Sequence, residues 1–126
     1  MATTISGLAR TNFATPDQAE ETPKRKAGAV TIGAVTIGAG TLEPGWRWSE
    51  HVKPLVGTNS CQAPHIHYLI SGRLHVRMDD GAEQEFGPGD VFLIGPGHDA
   101  WVTGDAPVGD AGPIPHQDAR HLPTRA

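Results

Sequence analysis

Pro64–Pro107 reads PHIHYLISGRLHVRMDDGAEQEFGPGDVFLIGPGHDAWVTGDAP, and short strands separated by tight turns are written into it. His67–Ile70 is an apolar-rich run that stops at Ser71-Gly72. From Arg73 to Met78 the period is two: Leu74, Val76 and Met78 face one way, Arg73, His75 and Arg77 the other. Asp79-Asp80-Gly81 has the composition of a hairpin turn, with Gly81 able to take the positive φ such turns need. Glu83 and Glu85 alternate toward solvent, Phe86–Asp90 is another tight turn, and Val91–Ile94 is a short buried strand. Gly95-Pro96-Gly97 turns the chain again before a strand at Trp101–Thr103, which Gly104-Asp105 closes. Strands this short, at this turn spacing, predict an antiparallel sandwich or barrel.

Working upstream, AVTIG occurs twice in tandem, at Ala29–Gly33 and Ala34–Gly38. In one continuous strand the odd period would put Val30 and Ile32 on the opposite face from Val35 and Ile37, so Gly33 is predicted to be a turn or bulge that restores both pairs to the core. After Pro44-Gly45, the alternation of Trp46, Trp48 and Glu50 predicts a strand with Glu50 on the indole side. A carboxylate buried there needs a partner. Residues 1–26 are polar and show no sustained period, which predicts an irregular arm with Leu8 and Phe13 as anchors. Beyond Val108, the glycine, proline and histidine content predicts a polar tail over residues 109–126. The domain proper is then residues 27–108.

A chain of 126 residues has room for one sizeable core. Hydrophobic residues make up 37 %, below the usual level of about 45–50 %, and 16 Gly and 11 Pro interrupt any long helix. A net charge of −4 with no dense basic patch argues against a nucleic-acid partner or an anionic membrane surface. No apolar run approaches the roughly 20 residues of a membrane span, and residues 1–26 lack the apolar stretch of a secretory signal. The single cysteine, Cys61, allows no intrachain disulfide. A cytoplasmic setting is the expectation. Dinucleotide-binding, phosphate-loop, paired-cysteine and nucleophile-elbow motifs are all missing from the sequence.

The segments YLISGRLHV and FGPGDVFLIGPGH, with the hairpin-length interval from Gly72 to Gly89, resemble the two motifs of the small single-domain cupins. PGWRWSEHVKP is also similar to the segment that leads into the barrel in one group of small bacterial cupins. The resemblance implies an all-β fold, an antiparallel β-barrel of the double-stranded β-helix or jelly-roll type, with irregular tails at both ends. In that family a divalent metal is held inside the barrel by two His at i and i+2, a Glu on the next strand and a His after the second Pro-Gly turn. Aligned on Gly72 and Gly97, those positions fall here on Asn59 and Cys61, His65, and Ala100. The family's ordinary ligand set is therefore absent.

A displaced set takes its place in the expectation. The resemblance implies that His65, His67 and His98 share the inward parity, with Cys61 as a soft fourth candidate. Two residues along a strand shift a side chain by roughly 6–7 Å, so His65 and His98 are the pair expected to meet. His67 and Cys61 compete for third ligand. The competing reading leaves the histidines in the core or at the rim and Cys61 as an inert buried thiol. Asp99 is a candidate to orient a neighbouring imidazole. Glu50, Trp48, Trp101 and Tyr68 are the expected ligand-binding residues; His75 belongs on the outer face, and His116 and His121 in the tail.

Two functions follow from the resemblance. One is a metalloprotein holding Fe, Ni, Mn or Zn and acting on a small organic molecule, with dioxygenase, isomerase or lyase chemistry. The other is a metal-free metabolite-binding or sensory barrel. A homodimer is expected in either case, with the N-terminal arm as a candidate for strand exchange.

Overall fold

Alternation and turn chemistry produce eleven elements in a computed structural model describing residues 6–114: β1 (Gln18–Thr22), β2 (Arg25–Ile32), β3 (Val35–Leu42), α1 (Trp48–His51), α2 (Lys53–Val56), β4 (His65–Ser71), β5 (Leu74–Met78), β6 (Glu83–Phe86), β7 (Val91–Ile94), β8 (His98–Val102) and β9 (Val108–Pro113). All the strand pairings are antiparallel. Six strands form one sheet in the order β1-β2-β3-β9-β4-β7, and three form the other in the order β6-β5-β8. The expected all-β barrel is what the chain builds.

The sheets face each other across a core that includes Leu42, Trp46, Trp48, Leu69, Val76 and Phe92. Phe86 from the smaller sheet stacks on Phe92 from the larger, ring centroids 5.0 Å apart, a contact worth about 0.5–1.5 kcal/mol beyond area burial. Single bridges from Arg47 to Trp101 and from Cys61 to His98 join the irregular stretches to β8.

Gly33 turns the β2–β3 hairpin with φ 60°. Val30 then lies opposite Ile37, and Ile32 opposite Val35, so all four share a face. The turn reunites them without returning both pairs to the core: none of the four belongs to the core cluster, Val30 being buried, Ile32 and Ile37 half-buried and Val35 exposed.

Three expectations give way to the coordinates. Residues 1–26 are not irregular throughout, since β1 and the start of β2 lie within them. β1 pairs with β2 of its own chain, and Phe13 packs over Gly28 while Leu8 stays exposed. The tail expected from residue 109 instead begins as β9, an interior strand between β3 and β4. Its glycines are there for close approach: a Cβ on Gly112 would lie 2.6 Å from His67 Cδ2. The remainder of the tail, with His116 and His121, lies outside the described residues.

The strand expected at Trp46–Glu50 is the turn leading into α1. At 100° per residue Glu50 leaves the Trp48 side, so Glu50 is exposed while Trp46 and Trp48 are buried. Asp99 organises this turn, its Oδ1 accepting from the Ser49 N–H at 3.0 Å and its Oδ2 from Arg47 Nε at 3.0 Å.

Gly72 carries the chain from β4 in the larger sheet to β5 in the smaller and Gly81 turns the β5–β6 hairpin, both at positive φ, 81° and 94°. A Cβ on Gly72 would strike the Pro107 carbonyl, whereas Gly81 faces open space. Gly72→Ala is expected to cost about 1–3 kcal/mol more than Gly81→Ala, measured by urea denaturation. Equal losses would mean that the Gly72–Pro107 approach is not tight.

Candidate metal centre

Strand alternation sets the site. In β4, His65, His67 and Leu69 point into the barrel, while Ile66, Tyr68 and Ile70 point out. In β8, His98, Ala100 and Val102 point in. The bridge between Cys61 and His98 brings a third donor alongside: the Cys61 N–H donates to the His98 carbonyl at 2.7 Å, and the His98 N–H donates to the Cys61 carbonyl at 3.2 Å.

Cys61, His65 and His98 are all buried, and one donor atom from each lies within 4.8 Å of the others. Cys61 Sγ is 3.8 Å from His65 Nε2. A tetrahedral ion with bonds of about 2.0–2.3 Å needs donors about 3.3–3.7 Å apart, so this pair is already near bonding separation. The His65 and His98 rings meet edge-on at 5.3 Å.

The decisive atom is His98 Nε2. Nδ1 of the same ring donates to the Gly95 carbonyl at 2.9 Å, which fixes the tautomer and leaves a lone pair on Nε2. That atom is buried and has no hydrogen-bond partner. Burial also holds the His98 pKa below its ordinary value, so the neutral ligand form is favoured. An imidazole nitrogen kept neutral and unpartnered, on a side chain grouped with a thiol and a second imidazole, has the preparation a metal ligand requires.

Asp79 braces both ends of this arrangement. Its carboxylate accepts from Ser60 Oγ at 2.8 Å, beside Cys61, and its N–H donates to the Gly97 carbonyl at 2.8 Å, beside His98. Gly97 has φ 91°, and a Cβ there would meet Asp79 Oδ2 at 2.8 Å.

His67 stands apart from the cluster. Its Nδ1 lies 2.9 Å from Asp110 Oδ2, with both side chains largely buried, and its ring is 5.8 Å from that of His65. Asp110 has room to face inward because it lies opposite Gly40 on β3. Arg25, also buried, lies 3.6 Å from Glu20 Oε1. Desolvation pulls its pKa down, opposed by the charges of Glu20, Asp110 and Cys61. Asp110, Glu20 and Arg25 sit in stretches that sequence reasoning read as tail and arm. Only the glycine spacing around Asp110 hinted at a packed strand.

The expected ligand-binding residues are dispersed. Tyr68 is on the outer face and Glu50 in solvent. Trp101 lies on the outside of the smaller sheet, stacked on His75 at 4.7 Å with Arg47 over its ring at 4.2 Å. Trp48 is fully buried in the core, its indole N–H without a partner. Asp99 serves α1 and Arg47 rather than an imidazole.

No protein-family model matches the chain, and no curated protein matches it. Solved structures do. A protein of unknown function from Rhizobium leguminosarum is 18 % identical, with 88 % of this chain and 100 % of that chain covered at a TM-score of 0.59. A DUF1255 protein of unknown function from Acidithiobacillus ferrooxidans is 15 % identical over 77 % and 87 % of the two chains, at 0.55. The polyketide cyclase RemF from Streptomyces resistomycificus is 16 % identical over 85 % and 80 %, at 0.53. At these identities the likeness is one of fold.

The depressed His98 pKa has a sign. Below its ordinary value of 6.5 the unfolded chain takes up a proton that the native imidazole resists, so stability is full above 6.5 and falls with pH below it. In metal-free protein, the unfolding free energy is expected to drop from pH 7 toward pH 5, with a shallower slope in His98→Leu. The same slope in both proteins would remove His98 as the cause.

Proposed function

The fold is that of the cupins, and we propose that in this chain the barrel holds one divalent ion on Cys61, His65 and His98 and acts there on a small organic molecule. The orphaned, buried Nε2 of His98 carries the reading. Among Fe, Ni, Mn and Zn, a thiolate with two imidazoles favours zinc. Three protein donors also leave a position for substrate, as in catalytic zinc sites. Bound there, zinc supplies a Lewis acid that polarises a substrate carbonyl or lowers the pKa of a water molecule. Isomerase or lyase chemistry suits that better than dioxygenase chemistry.

The chain's own residues supply the rest. Asp110 accepts from His67 Nδ1, which leaves the Nε2 lone pair of His67 as a base beside His65. A reducing cytoplasm, which keeps Cys61 unoxidised, is the setting that suits this centre. Among the described residues, no helix is long and apolar enough to cross a membrane.

A second reading, a non-catalytic binding or sensory barrel, is favoured by the complete burial of Cys61 and His98. Metal content separates the two. Protein purified without an affinity tag is expected to carry near-stoichiometric zinc, and Co(II) in its place is expected to show thiolate charge-transfer and tetrahedral d–d bands. Cys61→Ser, His65→Ala and His98→Ala should each weaken binding beyond the roughly 10–100-fold typical of losing an outer hydrogen-bonding partner. His67→Ala should stay within that range. Metal-free protein that binds neither ion would leave the binding barrel.

A further inference from the structure

The two sheets do not close on each other between β6 and β7. β6 is the last strand of the smaller sheet and β7 the last of the larger, and among the described residues no ladder joins them. A cleft of about 250 Å³ opens there. Val76, Met78, Phe86 and Ile94 wall it, and Gln84 and Leu93 stand at its rim. Val76, Phe86 and Ile94 are buried members of the core, whereas Gln84 and Leu93 are exposed. On β6 the alternation that turns Phe86 inward turns Gln84 the same way, opposite Val76 of β5.

The cleft adjoins the candidate metal centre. Ile94 is the register partner of His65, and Met78 that of His98. Gly95, which also lines the cleft, gives its carbonyl to His98 Nδ1 at 2.9 Å. Among the described residues, no lysine, arginine or histidine lines it. Its carboxylate, Glu83, is engaged with His75, Oε1 to Nε2 at 2.7 Å. An ion seated between these walls would lack a partner. Gln84 offers one amide that can both donate and accept, and apolar walls with a single polar group suit a small neutral ligand. At the interior packing density of about 0.74, the volume holds roughly ten non-hydrogen atoms.

We infer that this cleft seats the apolar body of the substrate, and that the substrate is an uncharged carbonyl compound of about one ring whose oxygen end meets the metal centre. The inference rests on the proposed metal-bound carbonyl chemistry and adds to it a route of entry, between β6 and β7, and a class of molecule. Charged molecules are disfavoured for want of a partner, and two-ring molecules for want of room.

The ketone para-fluoroacetophenone has this size and a reporter at each end. With the full chain its fluorine NMR line is expected to broaden with a Kd of about a millimolar. Gln84→Trp and Ala82→Phe, which fill the cleft from exposed positions, should each weaken binding at least about tenfold, with circular dichroism unchanged. Thr41→Trp, exposed on β3, should leave it unaltered. With Co(II) in the centre, the acetyl methyl protons should relax faster than the distant fluorine, and para-fluorobenzoate should bind at least about tenfold more weakly than the ketone. Protein that takes up Co(II) but not the ketone would overturn the inference and leave the metal reading standing. So would binding indifferent to both filling variants, equal binding of the benzoate, or stronger relaxation at fluorine than at the methyl group. Ketone binding that the filling variants abolish, in protein that takes up no Co(II), would keep the cleft as the binding site and remove the metal reading instead.

Discussion

The lone pair on His98 Nε2 is the constraint on which the proposed metal centre turns. Its geometry is set by backbone: the Gly95 carbonyl takes the Nδ1 proton, and the bridge to Cys61 fixes the turn that presents the ring. Asp79 reaches both Ser60 and the Gly97 carbonyl, tying the segment before β4 to the start of β8. Leaving a buried acceptor unmatched costs about 1–3 kcal/mol. Here such an atom belongs to a side chain grouped with a buried thiol and a second buried imidazole.

β4 serves two purposes through one periodicity. Its sequence HIHYLI sends His65, His67 and Leu69 inward and Ile66, Tyr68 and Ile70 outward. A one-residue slip would bury the apolar set and expose the histidines, so register is under constraint from both faces. The inner face positions the donors. The outer face leaves Ile66, Tyr68 and Ile70 exposed.

Much of this was legible from residue pattern. Alternation from Arg73 to Met78 and the glycine-marked turns gave the hairpins, and inward parity gave His65 and His98 as a pair. Cys61 was legible only as a candidate, because its approach to His98 is a single bridge outside any regular strand. Asp110 was hidden by composition. Val108–Pro113 has almost no side chains to show a period, yet flanking strands hold its backbone on both sides, which local propensity does not register. At Trp46–Glu50 a period of two was read where a short helix, organised by the distant Asp99, rotates Glu50 into solvent. The Asp110–His67 pair joins β9 to β4 across the fold, and no sequence spacing encodes that contact.

X-ray absorption at the metal edge of protein purified without added metal tests the central claim most directly. The account predicts one sulfur at about 2.3 Å and two imidazole nitrogens at about 2.0 Å around a single zinc. A shell of nitrogen and oxygen without sulfur, or no edge above background, would contradict it.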